Sequence, residues 1–334
     1  MEFLRSQFTK IPKLAPLNLS KSTVLITGAN TGIGLEAAKE ILLSTPERLI
    51  LAVRNLERGN AARKELERVK TSTSTKIDVR MLDYASFDSV RTFAKELEGQ
   101  RVDIAILNAV IDVMTGVWNT KFTTTTDGYE SDFQVNVLAP ALLSLLLLPN
   151  LRAAAAASSS RPGNAPKPHL SIVSSGLYEM AKFPERNLPS GERLNALNDP
   201  NRYVQSDRYP TSKVINLLWV RELASRVSNE EIIVNAPTPG FCKTELMRDT
   251  SGVMGLIVKL TMLMVGREAS EGARCIVEAA TVKEEESHGR FLSDMKIKAE
   301  TAMVTDEGGE ILQKDMWKEI MDIFAKEGLS AQVT

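Results

Sequence analysis

Cysteine is nearly absent: Cys242 and Cys275 are the two in 334 residues. So few thiols exclude a disulfide framework and predict a reducing, cytoplasmic setting. An excess of one charge is missing as well, with 41 Lys and Arg against 42 acids and a formal net charge of −1. That balance argues against nucleic acid as a partner, because phosphate-backbone binders carry a basic surplus. Long hydrophobic runs are also lacking. The longest, residues 137–148, contains Pro140 and is shorter than a bilayer span, so it predicts a buried helix and no transmembrane segment. Residues 1–19 are amphipathic without the continuous apolar block of a secretory signal. Histidine is limited to His169 and His288, neither with ligand-like neighbours, and no metal site is expected.

What the chain does contain is alternation. Hydrophobic residues make up 43% and charged ones 25%, ample for a core and ordinary for a globular protein. Short β-rich runs at 24–27, 49–53, 77–82, 102–107, 170–174, 232–236 and 290–293 are separated by amphipathic stretches, among them 35–43, 56–69 and 87–97. Strand and helix in turn predict an α/β fold, a doubly wound parallel sheet of about seven strands with helices on both faces. Three segments break the rhythm. Residues 153–168 (AAAAASSSRPGNAPKP) are low in complexity and read as a mobile loop. Residues 176–207 form a long polar, proline-bearing insertion, and residues 247–265 are rich in methionine and other apolar residues. Methionine moulds to irregular shapes, so this last segment reads either as a lid over an apolar substrate or as an ordinary core helix. Residues 307–326, with Met316, Ile320 and Phe324 at spacing four, predict an amphipathic C-terminal helix.

The most telling run is Thr27-Gly28-Ala29-Asn30-Thr31-Gly32-Ile33-Gly34, set directly between an apolar strand and a helical pattern. Glycine at such a junction lets backbone N–H groups and the positive end of the helix approach a pyrophosphate. Gly28 permits the tight turn, Gly32 the close approach to ligand and Gly34 the packing of helix on strand. At the end of the second strand, where an acid would accept from a ribose 2′-hydroxyl, stands Arg54, whose guanidinium suits a 2′-phosphate. The expected cofactor is NADP(H).

Tyr209-Pro210-Thr211-Ser212-Lys213 opens a further helical pattern, 214–227. Tyr and Lys four apart share one helix face, and an ammonium beside a phenol lowers a pKa that starts near ~10. A shift of two to three units takes roughly 3–4 kcal/mol and yields a general acid able to protonate a carbonyl oxygen. Ser174 and Ser175 end one strand, and Asn108 and Ala109 follow another, both at the carboxyl edge where parallel sheets hold ligands. Asn136, in an otherwise apolar helical stretch, is either a satisfied structural residue or an organiser of a water relay to the lysine.

TGANTGIG, LNA, VNV, IVSS, YPTSK and PTPG occur in an order and context that resembles the short-chain dehydrogenase/reductase family over about residues 20–295, with a flavour similar to retinol-dehydrogenase-like and fungal secondary-metabolism members. The resemblance implies a single Rossmann-type domain at 21–296, an N-terminal extension at 1–20, a substrate-lid segment at about 244–268 and a C-terminal helical extension at 297–334. It implies Tyr209 as catalytic acid/base, Lys213 on the nicotinamide ribose, Ser175 in preference to Ser174 orienting the substrate carbonyl, and Asn136 completing the tetrad. The cofactor would rest on Gly28, Asn30, Thr31, Gly32, Ile33 and Gly34, with Asp83 at the adenine and Asn108, Ala109, Pro239, Gly240 and Thr244 toward the nicotinamide. A bulky apolar small molecule, such as a polyketide, terpenoid or lipid-like compound, is the expected substrate. Helices around 137–148 and 214–227 are expected to build a homodimer or homotetramer, unless the terminal extensions cover them.

Two departures stand out. Val110 replaces the family's glycine in Asn-Ala-Gly, and a branched side chain there narrows the space above the nicotinamide. It keeps a non-redox isomerase, dehydratase or cyclase as a second reading beside carbonyl reduction or alcohol oxidation. A third reading, cofactor binding without turnover, has no need of Asn136, Ser175, Tyr209 and Lys213 together. The separation of Ser175 from Tyr209 also exceeds the family's usual length and predicts an enlarged substrate-loop region.

Overall fold

The computed structural model describes residues 6–109, 121–158, 166–243 and 265–329. β1 (Thr23–Thr27) leads through the glycine turn into α1 (Gly32–Leu42), followed by β2 (Arg48–Val53), α2 (Leu56–Val69), β3 (Lys76–Met81), α3 (Phe87–Glu96) and β4 (Ile104–Leu107). Next come α4 (Ala139–Leu146), α5 (Leu148–Ser158), β5 (His169–Ile172), α6 (Gln205–Ala224) and β6 (Ile233–Pro237). The short strands β7 (Cys242–Lys243) and β8 (Arg267–Glu268) pair with each other, then α7 (Ala269–Thr281), β9 (Phe291–Ser293), β10 (Lys296–Ile297) and α8 (Glu307–Lys326) complete the order.

The main sheet runs β3-β2-β1-β4-β5-β6-β9-β10, parallel except for its β9–β10 edge. Seven of these strands are the runs read from the sequence, and β10, two residues long, is too short to show a period. Strand order reverses between β1 and β4, so their carboxyl ends flank a crevice. Side chains of β1 alternate between two cores. Leu25 packs with α3, α4, α6 and α8, while Val24 and Ile26 pack with α1 and α7. Helix starts follow ordinary capping: Asn55 accepts from Arg58 N at 2.9 Å on α2, and Asp306 from Gly309 N at 2.7 Å on α8.

Two boundaries correct the sequence reading. Residues 153–158 belong to α5 and not to a loop, because a run of alanine is the strongest helix former. Residues 159–165, and 247–264 of the methionine-rich segment, lie outside the described residues. α6 begins at Gln205, one turn before Tyr209, so Pro210 sits inside the helix. The missing N–H of Pro210 costs little there, since Ser206, whose carbonyl it would have engaged, is exposed to water.

The long insertion before α6 is held by two carboxylates. Asp207 accepts from Lys182 N (2.8 Å) and Phe183 N (3.0 Å), and Glu319 on α8 accepts from Gly191 N and Leu194 N, both at 2.8 Å. α8 in turn lies along α6, where Trp219 and Trp317 stack with centroids 4.3 Å apart. Among the described residues no single helix is long and apolar enough to cross a membrane. The bent pair Ser131–Leu146 and Leu148–Ala157 has that composition, but it lines the core beneath the sheet.

Candidate active site

The glycine turn meets the crevice with backbone. Gly28 and Gly32 take φ of +67° and +56°, a region that side chains strain to occupy. A Cβ on Gly34 would run into Gly28 O and stand 2.7 Å from Asn108 Nδ2. α1 opens on Thr31 with no side-chain cap and no acid in its first turn. The N–H groups of its first turn, with Asn30, Thr31 and Ile33 beside them, are therefore left for an anion. Arg54 is exposed just beyond β2. Asp83, after β3, is half-buried and turns its carboxylate to Ala85 N at 3.0 Å. The glycine turn and the uncapped start of α1 fit the pyrophosphate of a dinucleotide.

One organiser of this wall, Thr27, escaped the sequence reading. Its Oγ1 accepts from Ala109 N (2.9 Å) and Tyr84 OH (3.3 Å), and its carbonyl accepts from Asn108 Nδ2 (3.1 Å). Those bonds fix the Asn108–Ala109 step against the glycine turn. A lone hydroxyl ending an apolar strand was the available signal.

The opposite wall is built on α6 and the segment leading into α4. Tyr209 and Lys213 are 3% and 1% exposed. Lys213 Nζ lies 5.6 Å from the Tyr209 ring centroid and donates to Val173 O, at the end of β5, at 3.1 Å. Ser175 Oγ accepts from Leu177 N at 3.2 Å, which leaves its O–H to donate. Ser174 Oγ is buried without a partner. Asn136 lies in a π-helical turn, Gln134–Leu138, between the helical turn Ser131–Phe133 and α4. Such turns widen the backbone ladder and recur at functional sites. Asn136 Nδ2 donates to Ser212 Oγ at 3.2 Å, and Asn216 Nδ2 donates to Asn136 O at 3.3 Å. Asn136 is thereby tied to the helix that carries Tyr209 and Lys213.

Charge is concentrated behind these groups. Burial pulls the Lys213 ammonium down to about 7, and Asp132 acts against it. Burial, then the neighbouring Glu130, pushes Asp132 up to about 7. Burial also raises Glu130, opposed by Arg208, whose Nε is 3.6 Å from the Glu130 carboxylate. Glu130, Asp132 and Arg208 were missed from the sequence because acids and bases in a helical stretch ordinarily mark a solvated face.

Pro239 and Gly240 follow β6, and Gly240, at φ +77°, faces Arg267, whose Nη1 would lie 2.7 Å from a Cβ there. Thr244 and Val110 lie outside the described residues. Both histidines are structural: His169 is buried between the carbonyls of Lys167 and Lys283, and His288 accepts from Val234 N at 3.2 Å. Among the described residues no group of His, Cys, Asp and Glu is placed to hold a metal ion.

A family profile described as short chain dehydrogenase matches residues 22–172. The chain is similar to the short chain dehydrogenase/reductase mfmJ of Annulohypoxylon moriforme, at 37% identity over 330 residues, 97% of this chain and 91% of that one. The chain belongs to the short-chain dehydrogenase/reductase family. Two solved structures share its fold. One is the carbonyl reductase Sniffer of D. melanogaster, 21% identical, with a TM-score of 0.58 over 84% of this chain and 100% of that one. The other is L-sorbose reductase from Gluconobacter frateurii complexed with NADPH and L-sorbose, 17% identical, with a TM-score of 0.60 over 84% and 98%. As a short-chain dehydrogenase/reductase, the protein is an oxidoreductase of a family that uses nicotinamide cofactors.

Proposed function

We propose that this short-chain dehydrogenase/reductase is NADP(H)-dependent and interconverts a carbonyl and an alcohol on a bulky apolar substrate, a secondary metabolite, with Tyr209 as general acid/base. The observation that carries the reading is the burial of Tyr209 and Lys213 together at the carboxyl edge of the sheet that also carries the uncapped start of α1. Arg54, with its guanidinium exposed beyond β2, supports NADP(H) over NAD(H), as does the NADPH held by L-sorbose reductase. When bound, NADPH supplies the hydride received by the carbonyl carbon. The chain's own residues do the rest. Ser175 donates to the substrate oxygen and holds it toward Tyr209, whose O–H bond breaks as the new alcohol O–H forms. The Lys213 ammonium stabilises the phenolate left behind. Asp83 serves the adenine, while Asn108, Ala109, Pro239, Gly240 and Thr244 serve the nicotinamide end.

The test is Tyr209→Phe, assayed with NADPH and a panel of apolar ketones. Turnover should fall by roughly a thousandfold while NADPH affinity stays within about threefold. Retained turnover overturns the role of Tyr209. NADPH absorbance should fall in step with alcohol formed; product without NADPH consumption would favour the non-redox reading that Val110 keeps open.

A further inference from the structure

A phenol assisted by an ammonium works only while the lysine keeps its proton, and burial opposes that. Lys213 is 1% exposed, and the acceptor bonded to its Nζ is a neutral carbonyl, Val173 O. A buried carboxylate lies on the turn that precedes the one joining Asn136 to Ser212, and both turns pack on α6. Asp132 lies one turn before Asn136, in the helical turn that packs on α6, and is 3% exposed. The neighbouring acids are already engaged. Glu130 caps its own turn, accepting from Asp132 N (3.1 Å) and Phe133 N (2.9 Å), and it pairs with Arg208. Asp207 accepts from Lys182 N, Phe183 N and Thr211 Oγ1. Among the described residues the Asp132 carboxylate has no such bonds. The charged and titratable groups facing it are Glu130 from its own segment, Arg208 and Lys213 from α6, and Tyr203 from the stretch before α6. Arg208 pairs with Glu130 and also acts on Asp132, whereas Asp132 is the one carboxylate that acts on Lys213.

We propose that Asp132 is a positioning residue of the active site: its carboxylate is the counter-charge that raises the pH up to which Lys213 stays protonated beside Tyr209, and so sets the pH range in which the phenol works as an acid. This rests on the roles of Tyr209 and Lys213 proposed above. The proton passes from Tyr209 to the substrate oxygen and is regained from water, while Lys213 stays charged and Asp132 balances it. The directions of the ionisations agree, since burial lowers Lys213 and Asp132 is the group that raises it.

The test reads NADPH affinity by fluorescence and kcat between pH 5.5 and 9 for the unaltered protein, Asp132→Asn and Asp132→Glu. In the unaltered protein NADPH affinity falls as pH rises through the Lys213 ionisation. In Asp132→Asn the midpoint of that fall moves to lower pH by about one unit, and kcat at pH 7.5 drops about tenfold. Asp132→Glu, which keeps a carboxylate, brings the midpoint back most of the way. A flat pH dependence of NADPH affinity in the unaltered protein overturns the proposal, whatever the variants do. So does an unmoved midpoint in Asp132→Asn, or a kcat loss of equal size at every pH, which is the mark of a merely structural residue. Tyr209→Phe separates the two layers. If that variant is inactive while Asp132→Asn behaves like the parent, the Asp132 role fails alone; if it turns over normally, the acid/base reading fails first.

Discussion

On one side of the crevice, the turn at residues 27–34 presents peptide groups, and the Thr27 Oγ1 at its start accepts from Ala109 N and Tyr84 OH. On the other side, Glu130, Asp132, Arg208 and Lys213 are 2%, 3%, 3% and 1% exposed. The first wall stores its function in shape. The second stores it in charge held away from water, which is costly unless every ion is paired and hydrogen-bonded. Here pairing is incomplete: Arg208 Nε and Nη2 and Asn216 Oδ1 are buried without hydrogen-bond partners. The two walls should therefore fail differently, the first to added atoms and the second to altered charge.

The largest effect on cofactor binding is expected on the shape side. Gly34→Ala puts a methyl group into the backbone at Gly28 O and against Asn108 Nδ2, a side-chain end held by its bond to Thr27 O. The start of α1 must move off the turn, at a cost of about 1–3 kcal/mol in stability. A displacement of that kind should weaken NADPH binding about a hundredfold by fluorescence titration. Affinity within a factor of three of the parent would mean that the turn is not the phosphate cradle. A smaller and more selective effect is expected at Arg54. Arg54→Asp removes a charge-assisted contact worth about 2–3 kcal/mol to a 2′-phosphate, so the preference for NADPH over NADH should fall roughly 30-fold or more. Equal weakening of both cofactors would take Arg54 out of the phosphate site.

This contrast also governs what was legible in the sequence. β1, the turn and α1 follow from neighbouring residues, because glycine between an apolar strand and a helical period leaves a local signature. α2 and α8 show the same, with both ends at the residues their periodicity gives. Tyr209 and Lys213 were found through spacing on one helix. Asp132, Glu130 and Arg208 were not, since nothing near them in sequence tells that α6 and the Ser131–Phe133 turn close over them. Locally ambiguous composition misled in a second way at α5, where alanines read as low complexity extend a helix. The π-helical turn at Asn136 was equally invisible, because its ties, to Ser212 and Asn216, are to α6 and leave no mark in the composition around it.

The sharpest test of the charge side has a sign opposite to that of an ordinary core mutation. Lys213 ionises near 10.5 when exposed and is brought down to about 7 by burial. Between those values the unfolded chain binds a proton that the folded protein does not. Stability due to this group therefore rises with pH from about 7 toward 10.5, and its cost is fully present below 7. Lys213→Met removes the charge and keeps most of the volume. It should abolish turnover yet raise the thermal midpoint by about 5 °C at pH 6, with a smaller gain at pH 9. The pH 9 gain shrinks for two reasons: the lysine it replaces is by then largely neutral, and Asp132, raised to about 7, is ionised without its partner. A midpoint that drops at pH 6, or a gain that grows toward pH 9, would show that Lys213 stabilises the fold, and the cost of buried charge would have to be sought in Arg208 and Glu130 instead.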